Sequence, residues 1–129
     1  MPGQDLINSL VKVCTAQSAV YQYQAVIRGT LEDTITLGSA DDASFYGFAL
    51  NDATSGATVA VHMAGGIAKG IAGGSVTAMS FGAIESTDGK LKNVAATNTN
   101  RNVVCQFLRD GVDGDVVPVL IVRGLVNLP

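Results

Sequence analysis

Charged side chains are scarce in this chain: Asp, Glu, Lys and Arg make up 15% of its 129 residues, against about a quarter in an ordinary globular domain. Such a surface is either covered by Ser, Thr, Asn and Gly or partly buried against other chains, and the second alternative is favoured. The eight Lys and Arg are scattered singly in a chain of net charge −3, which excludes the clustered basic surface a nucleic-acid binder needs. Cys14 and Cys105 are the only cysteines. They are too few for a disulfide framework and form no CxxC metal spacing; a single bridge is possible, but a reduced intracellular chain is the simpler expectation. His62 is the only histidine, so any Ser-His-Asp or Cys-His arrangement would have to use it. Tryptophan is absent, and the three Tyr and four Phe cluster only at Tyr21-Tyr23 and Phe45-Tyr46-Phe48. That is little for a concave ligand site lined by converging aromatics. Met1–Asp5 lacks the basic start of a signal peptide. The apolar stretch 57–84 is punctuated by six glycines between Gly65 and Gly82, which argues for turns and against a membrane span.

What the chain does have is an internal echo. Shifted by 58 positions without a gap, Tyr46–Ile67 aligns with Val104–Leu125: Leu50 falls on Leu108, Asp52 on Asp110, Gly56 on Gly114, Val59 on Val117, Val61 on Val119 and Gly66 on Gly124. Leu, Asp and Gly leading into a β-branched run, twice, indicates one supersecondary unit used in duplicate. Two copies are too few for a solenoid, so the expected product is a single pseudo-symmetric β domain. A chain of this length buries roughly two-thirds of its unfolded surface and needs no staples.

Short strands are expected over 20–28, 34–37, 45–50, 57–63, 103–108 and 116–122. A glycine corner falls at 65–74, and strand pieces over 75–84 break at Gly82. Asp88-Gly89, between Ile84 and Leu91, is the strongest hairpin signal. Stretches 39–44 and 95–102 read as surface loops. Frequent glycine and little helical periodicity give an all-β fold, a small barrel-like or sandwich-like single domain. Residues 1–19 stand apart as an N-terminal arm before a β domain at 20–129. Leu6, Ile7, Leu10 and Cys14 recur at helical spacing after Asp5, a candidate N-cap, and an extended conformation over Leu10–Cys14 fits nearly as well.

No residue set stands out as catalytic, and neither a metal nor a cofactor is expected. His62 has Leu120 as its counterpart in the second copy, which points to a packing or surface position. The acidic run Asp110–Asp115 lacks EF-hand spacing. Its Asp113 and Asp115 become Ser55 and Ala57 in the first copy, leaving Asp52 and Asp110 as turn residues that bond backbone amides. The glycine-rich segment 63–74 is no phosphate cradle, because Lys69 is followed by Gly70 where a P-loop has Ser or Thr. The sharper feature is that Val117, Val119 and Ile121 are opposed by Pro118, Leu120 and Val122, so both faces of that strand are apolar and need cover. Pro118 cannot donate to a ladder, which predicts an edge strand or a bulge. An edge strand apolar on both faces implies an oligomer with Val116, Pro118, Leu120 and Val122 at or near the subunit contact.

Taken together, FYGFALNDATSGATVAVHMAGGI at 45–67 and DGVDGDVVPVLIVRG at 110–124 resemble the capsid cement, or head decoration, proteins of tailed bacteriophages over roughly Ala25–Gly124. The resemblance implies a small β-barrel-like protomer that trimerises and binds the major capsid protein on the outer surface of the head, assembled in the host cytoplasm. It implies no catalytic residues. The acidic balance suits the outside of a shell, and the apolar Leu6, Ile7, Leu10, Val11 and Val13 are candidates for docking on it. A tail or baseplate β protein and a non-viral ligand-binding β module are the competing readings.

Overall fold

The computed structural model describes residues 10–38, 44–85, 88–94 and 100–127. Every regular element among them is a strand: β1 Leu10–Ala16, β2 Ala25–Arg28, β3 Thr34–Leu37, β4 Phe45–Ala49, β5 Thr58–Ala64, β6 Ala68–Ile71, β7 Phe81–Glu85, β8 Lys90–Asn93, β9 Asn100–Phe107 and β10 Val116–Asn127. The first five close into a barrel in the order β1-β3-β2-β4-β5, and the second five form a sheet in the order β6-β10-β9-β7-β8. The all-β expectation holds.

The duplication extends well beyond the two hairpins legible in the sequence. The antiparallel pairs Cys14↔Val59 and Lys12↔Val61 of β1 and β5 answer to Gly70↔Val117 and Ala68↔Val119 of β6 and β10. Val26↔Gly47 answers to Gly82↔Cys105, and Arg28↔Ile35 to Ile84↔Leu91. The parallel contact Ala16↔Ile35 that closes the barrel reappears as the bridge Ala72↔Leu91 between β6 and β8. Positive φ angles repeat too, at Tyr23 and Met79 (73° and 72°) and at Gly56 and Gly114 (87° and 90°). The chain is thus two copies of a five-strand unit. β1–β3 are offset from β6–β8 by 56 positions (16 to 72, 35 to 91), and β4–β5 from β9–β10 by 58 (47 to 105, 59 to 117). The two extra residues fall between β8 and the part of β9 that matches β4.

Strand alternation fills each unit. Cys14, Ala16, Val20, Val26, Ile35, Ala49, Ala53, Val59 and Val61 pack inside the first barrel. In the second unit the volumes are redistributed: Val26 and Ala49 are answered by Gly82 and Phe107, and a Cβ on Gly82 would stand 2.7 Å from the Phe107 ring. The larger cluster around Phe107, Leu91, Val117 and Val119 also contains Ala25, Ile27, Phe45 and Phe48 from the first unit. One unit's outer face therefore completes the other's core.

Two expectations are corrected. An arm does not extend to residue 19, because β1 (Leu10–Ala16) is a barrel strand paired along its length with β5; residues 1–9, with Leu6 and Ile7, lie outside the described residues. Nor does Pro118 sit on an edge, since β10 lies between β6 and β9; the bulge named as the alternative is in the same strand, between Ile121 and Gly124. The physical reason is local. In the first unit, Ala60 occupies the equivalent place, and its N–H donates not to the ladder but to the Asn51 side chain (2.8 Å). A proline there forfeits no strand–strand bond. Its carbonyl still accepts from Leu108 N–H (3.0 Å), as that of Ala60 does from Leu50 (2.8 Å). Arg109, standing where Asn51 stands, donates to the Val116 carbonyl at 3.0 Å.

Candidate interaction surface

His62 faces away from the barrel interior, yet is only 7% exposed. Its Nε2 donates to the Gly65 carbonyl at 2.6 Å, which fixes the ring in a packing role opposite Phe48. Both cysteines are buried and free. Burial pushes the Cys105 thiol up to about 12 and raises that of Cys14, the opposite of what a nucleophilic thiol requires.

Asp52 and Asp110 do the same work in the two units. Asp52 Oδ1 accepts from Gln22 N–H and Asp110 Oδ1 from Ala78 N–H, each at 2.7 Å. Asp115 accepts from Val112 N–H at 3.0 Å and Asp113 lies 3.7 Å from Lys90, so the acidic loop is organised by backbone and lysine contacts. Among the described residues no group of three or more His, Cys, Asp or Glu could hold a metal ion. Asp110→Ala should cost about 1 kcal/mol, the typical net worth of one such bond, as read from a urea melt. Calcium should leave the wild-type melting temperature unchanged; a calcium-dependent rise that Asp110→Asn abolishes would overturn the turn role.

The surface chemistry lies elsewhere. On β1, Leu10, Val11 and Val13 are exposed, while Cys14 and Ala16 are buried. On β10, Val117 and Val119 are fully buried, Val116 and Leu120 are exposed, and Pro118 and Val122 are half-buried. The two-sided apolar strand is therefore present, with one face in the core and the other open. Next to Leu120 across the sheet stands Gln106, and next to Gln106 stands Phe81, which is 44% exposed.

An opening of about 310 Å³ beside β1 and β3 is lined by Lys12, Arg28, Glu32, Asp33, Thr34 and Tyr46. Lys12 and Asp33 pair at 2.7 Å across exposed side chains. The hydrogen bond to Asp33, with a second to Tyr46, raises the lysine above its ordinary range. Sequence reading missed this opening because its residues are spread over four strands and a turn with no shared motif. Arg123 was missed as well. Its guanidinium donates to the carbonyls of Phe45, Tyr46 and Met63 (2.6–2.7 Å) and lies 4.8 Å from the Phe45 ring, so β10 is tied across to β4 and β5.

No protein-family model matches the chain, and no curated protein matches it. Among solved structures, the N base of the head fiber protein gp8.5 of bacteriophage phi29 is similar with a TM-score of 0.70 at 19% identity, covering 92% of this chain and 98% of that one. The two chains share their fold over essentially their whole lengths.

Proposed function

We propose that this protein is a structural component of a bacteriophage virion, seated on the outer surface of the head as a trimer and stabilising the capsid. The observation that carries the reading is the end-to-end fold likeness to a phage head fiber base. The sequence resemblance to head decoration proteins points to the same location independently. Supporting features are the acidic balance, the low charge content and apolar side chains exposed on β1 and β10. The fiber-base likeness also favours a second form of the same role, in which the domain anchors a projection on the head without reinforcing the shell.

The head-facing surface in this reading is the outer face of β1, with Leu10, Val11 and Val13, and the major capsid protein is the partner. Purified protein mixed with undecorated heads should co-sediment with them and be visible on their surface by negative stain. Val11→Asp with Val13→Asp should keep the fold and lose most head binding, because each charge would be desolvated at the contact. A cementing protein should also raise the temperature at which heads rupture, by mass action on the bound state; a fiber base should bind without that rise. Failure of the full chain to bind heads at all would overturn the reading in favour of a tail or baseplate component.

A further inference from the structure

The contact between the two units within the chain is heterologous: a face of the first unit meets an opening of the second, and among the described residues the reverse contact is not made. Ala25, Phe48 and His62 are cross-strand neighbours on β2, β4 and β5, and all three are buried, at 0%, 0% and 7% exposure. Phe48 lies over β6 and β8, its Cε1 being 3.1 Å from where a Gly70 Cβ would stand, close to Leu91. Ala25 N–H donates to the Gly89 carbonyl at 2.9 Å, and Gln24 Nε2 donates to that of Asp88 at 3.1 Å. Ile84 packs against the Gly38 position.

The same elements recur in the other unit, and among the described residues no further unit packs over them. The equivalents of Ala25, Phe48 and His62 are Phe81, Gln106 and Leu120, which are likewise neighbours across their strands. Phe81 and Leu120 are 44% and 37% exposed. The equivalents of Ala68, Ile84, Asp88, Gly89, Lys90 and Val104 are Lys12, Arg28, Glu32, Asp33, Thr34 and Tyr46, the lining of the 310 Å³ opening. Among the described residues each chain thus carries one plug-and-socket contact made internally and one exposed half of each kind. The chemistry of the two sets differs in a matched way. Inside the chain an apolar plug, Phe48, meets an apolar socket; at the ends a polar Gln106, flanked by Phe81 and Leu120, would meet a polar socket.

We propose that a second copy of this chain covers the Phe81–Gln106–Leu120 face, presenting to it the Lys12, Arg28, Asp33 and Tyr46 opening of its own first unit. The contact between chains then repeats the contact within one, and heterologous contacts of this kind close into rings when the rotation permits. Three chains would make a ring of alternating first and second units, with Leu120 buried at each junction. The inference supplies the self-association that the trimer of the proposed function requires, and it is tested without heads, so that its failure and the failure of head binding are separate results.

The full chain at about 10 μM should sediment as a closed oligomer. Phe81→Asp alters the plug and Arg28→Glu the socket; both sites are exposed in the protomer, so each variant should melt as a folded protein. Each should fall to monomer, with association weakened roughly 30-fold or more, as expected for a central contact residue. The deciding result is the mixture. Phe81→Asp retains an intact socket and Arg28→Glu an intact plug, so the two together should form a one-to-one dimer that grows no further. A monomeric wild type, variants that remain fully assembled, or a mixture that stays monomeric would each overturn the proposal.

Discussion

Phe107→Ala should destabilise the chain by about 3–5 kcal/mol, the range for deleting a fully buried phenylalanine, and should be partly rescued by Gly82→Val. Phe107 is completely buried, and its ring fills the space above Gly82, where a Cβ would approach its Cζ to 2.7 Å and the Cys105 Sγ to 2.7 Å. Gly82→Val alone should therefore cost about 1–3 kcal/mol through overpacking. The double variant restores the pairing that the first unit already uses, Val26 with Ala49, both fully buried there. Its cost should be smaller than the sum of the single costs by more than about 1 kcal/mol, a coupling expected for side chains that share one space. Urea denaturation of the four proteins closes the cycle. Additive costs would show that the two units do not exchange volume between these positions.

Phe48→Ala should cost a similar 3–5 kcal/mol, and its effect should appear mainly in the unit to which Phe48 does not belong. The ring makes an edge contact with Phe45 at 5.3 Å and sits in the core cluster of the second unit with Leu91, Phe107 and Val117. Removing it leaves a cavity beside β6 and β8, which are joined by a single parallel bridge, Ala72↔Leu91, just past the end of β6. The first barrel keeps its own interior of Val26, Ile35, Val59 and Val61. Amide exchange should accordingly quicken in β6 and β8 and change little in β1 and β5, since local opening follows local loss of buried contact. Uniform acceleration across both units would mean that they unfold as one body and that the plug is not a separable element.

The sequence by itself determined the strand content, the hairpin at Asp88-Gly89, the turn positions of Asp52 and Asp110, and the fact of an internal repeat. These are local properties: alternation of Val with small or polar residues sets the pleat, and Asp before Gly sets the turn, whatever else the chain does. The extent of the repeat was not legible. Between β1 and β6 only Ala16 and Ala72 are identical over the seven matched positions, and the 56-position offset there is hidden from a 58-position alignment by two extra residues between β8 and the part of β9 that matches β4. What is conserved between the units is hydrogen-bond register, which many side chains satisfy, so backbone geometry repeats where residue identity does not. Only the tertiary structure decided that Leu10–Ala16 belongs to a barrel, that Pro118 lies in an interior strand whose amide is not needed, and that Phe48 serves the neighbouring unit. It also decided which copies are covered: Phe48 and Gln106 occupy the same place in the same fold, and burial falls on the first because packing one unit against the other satisfies one end of each and leaves the opposite ends open.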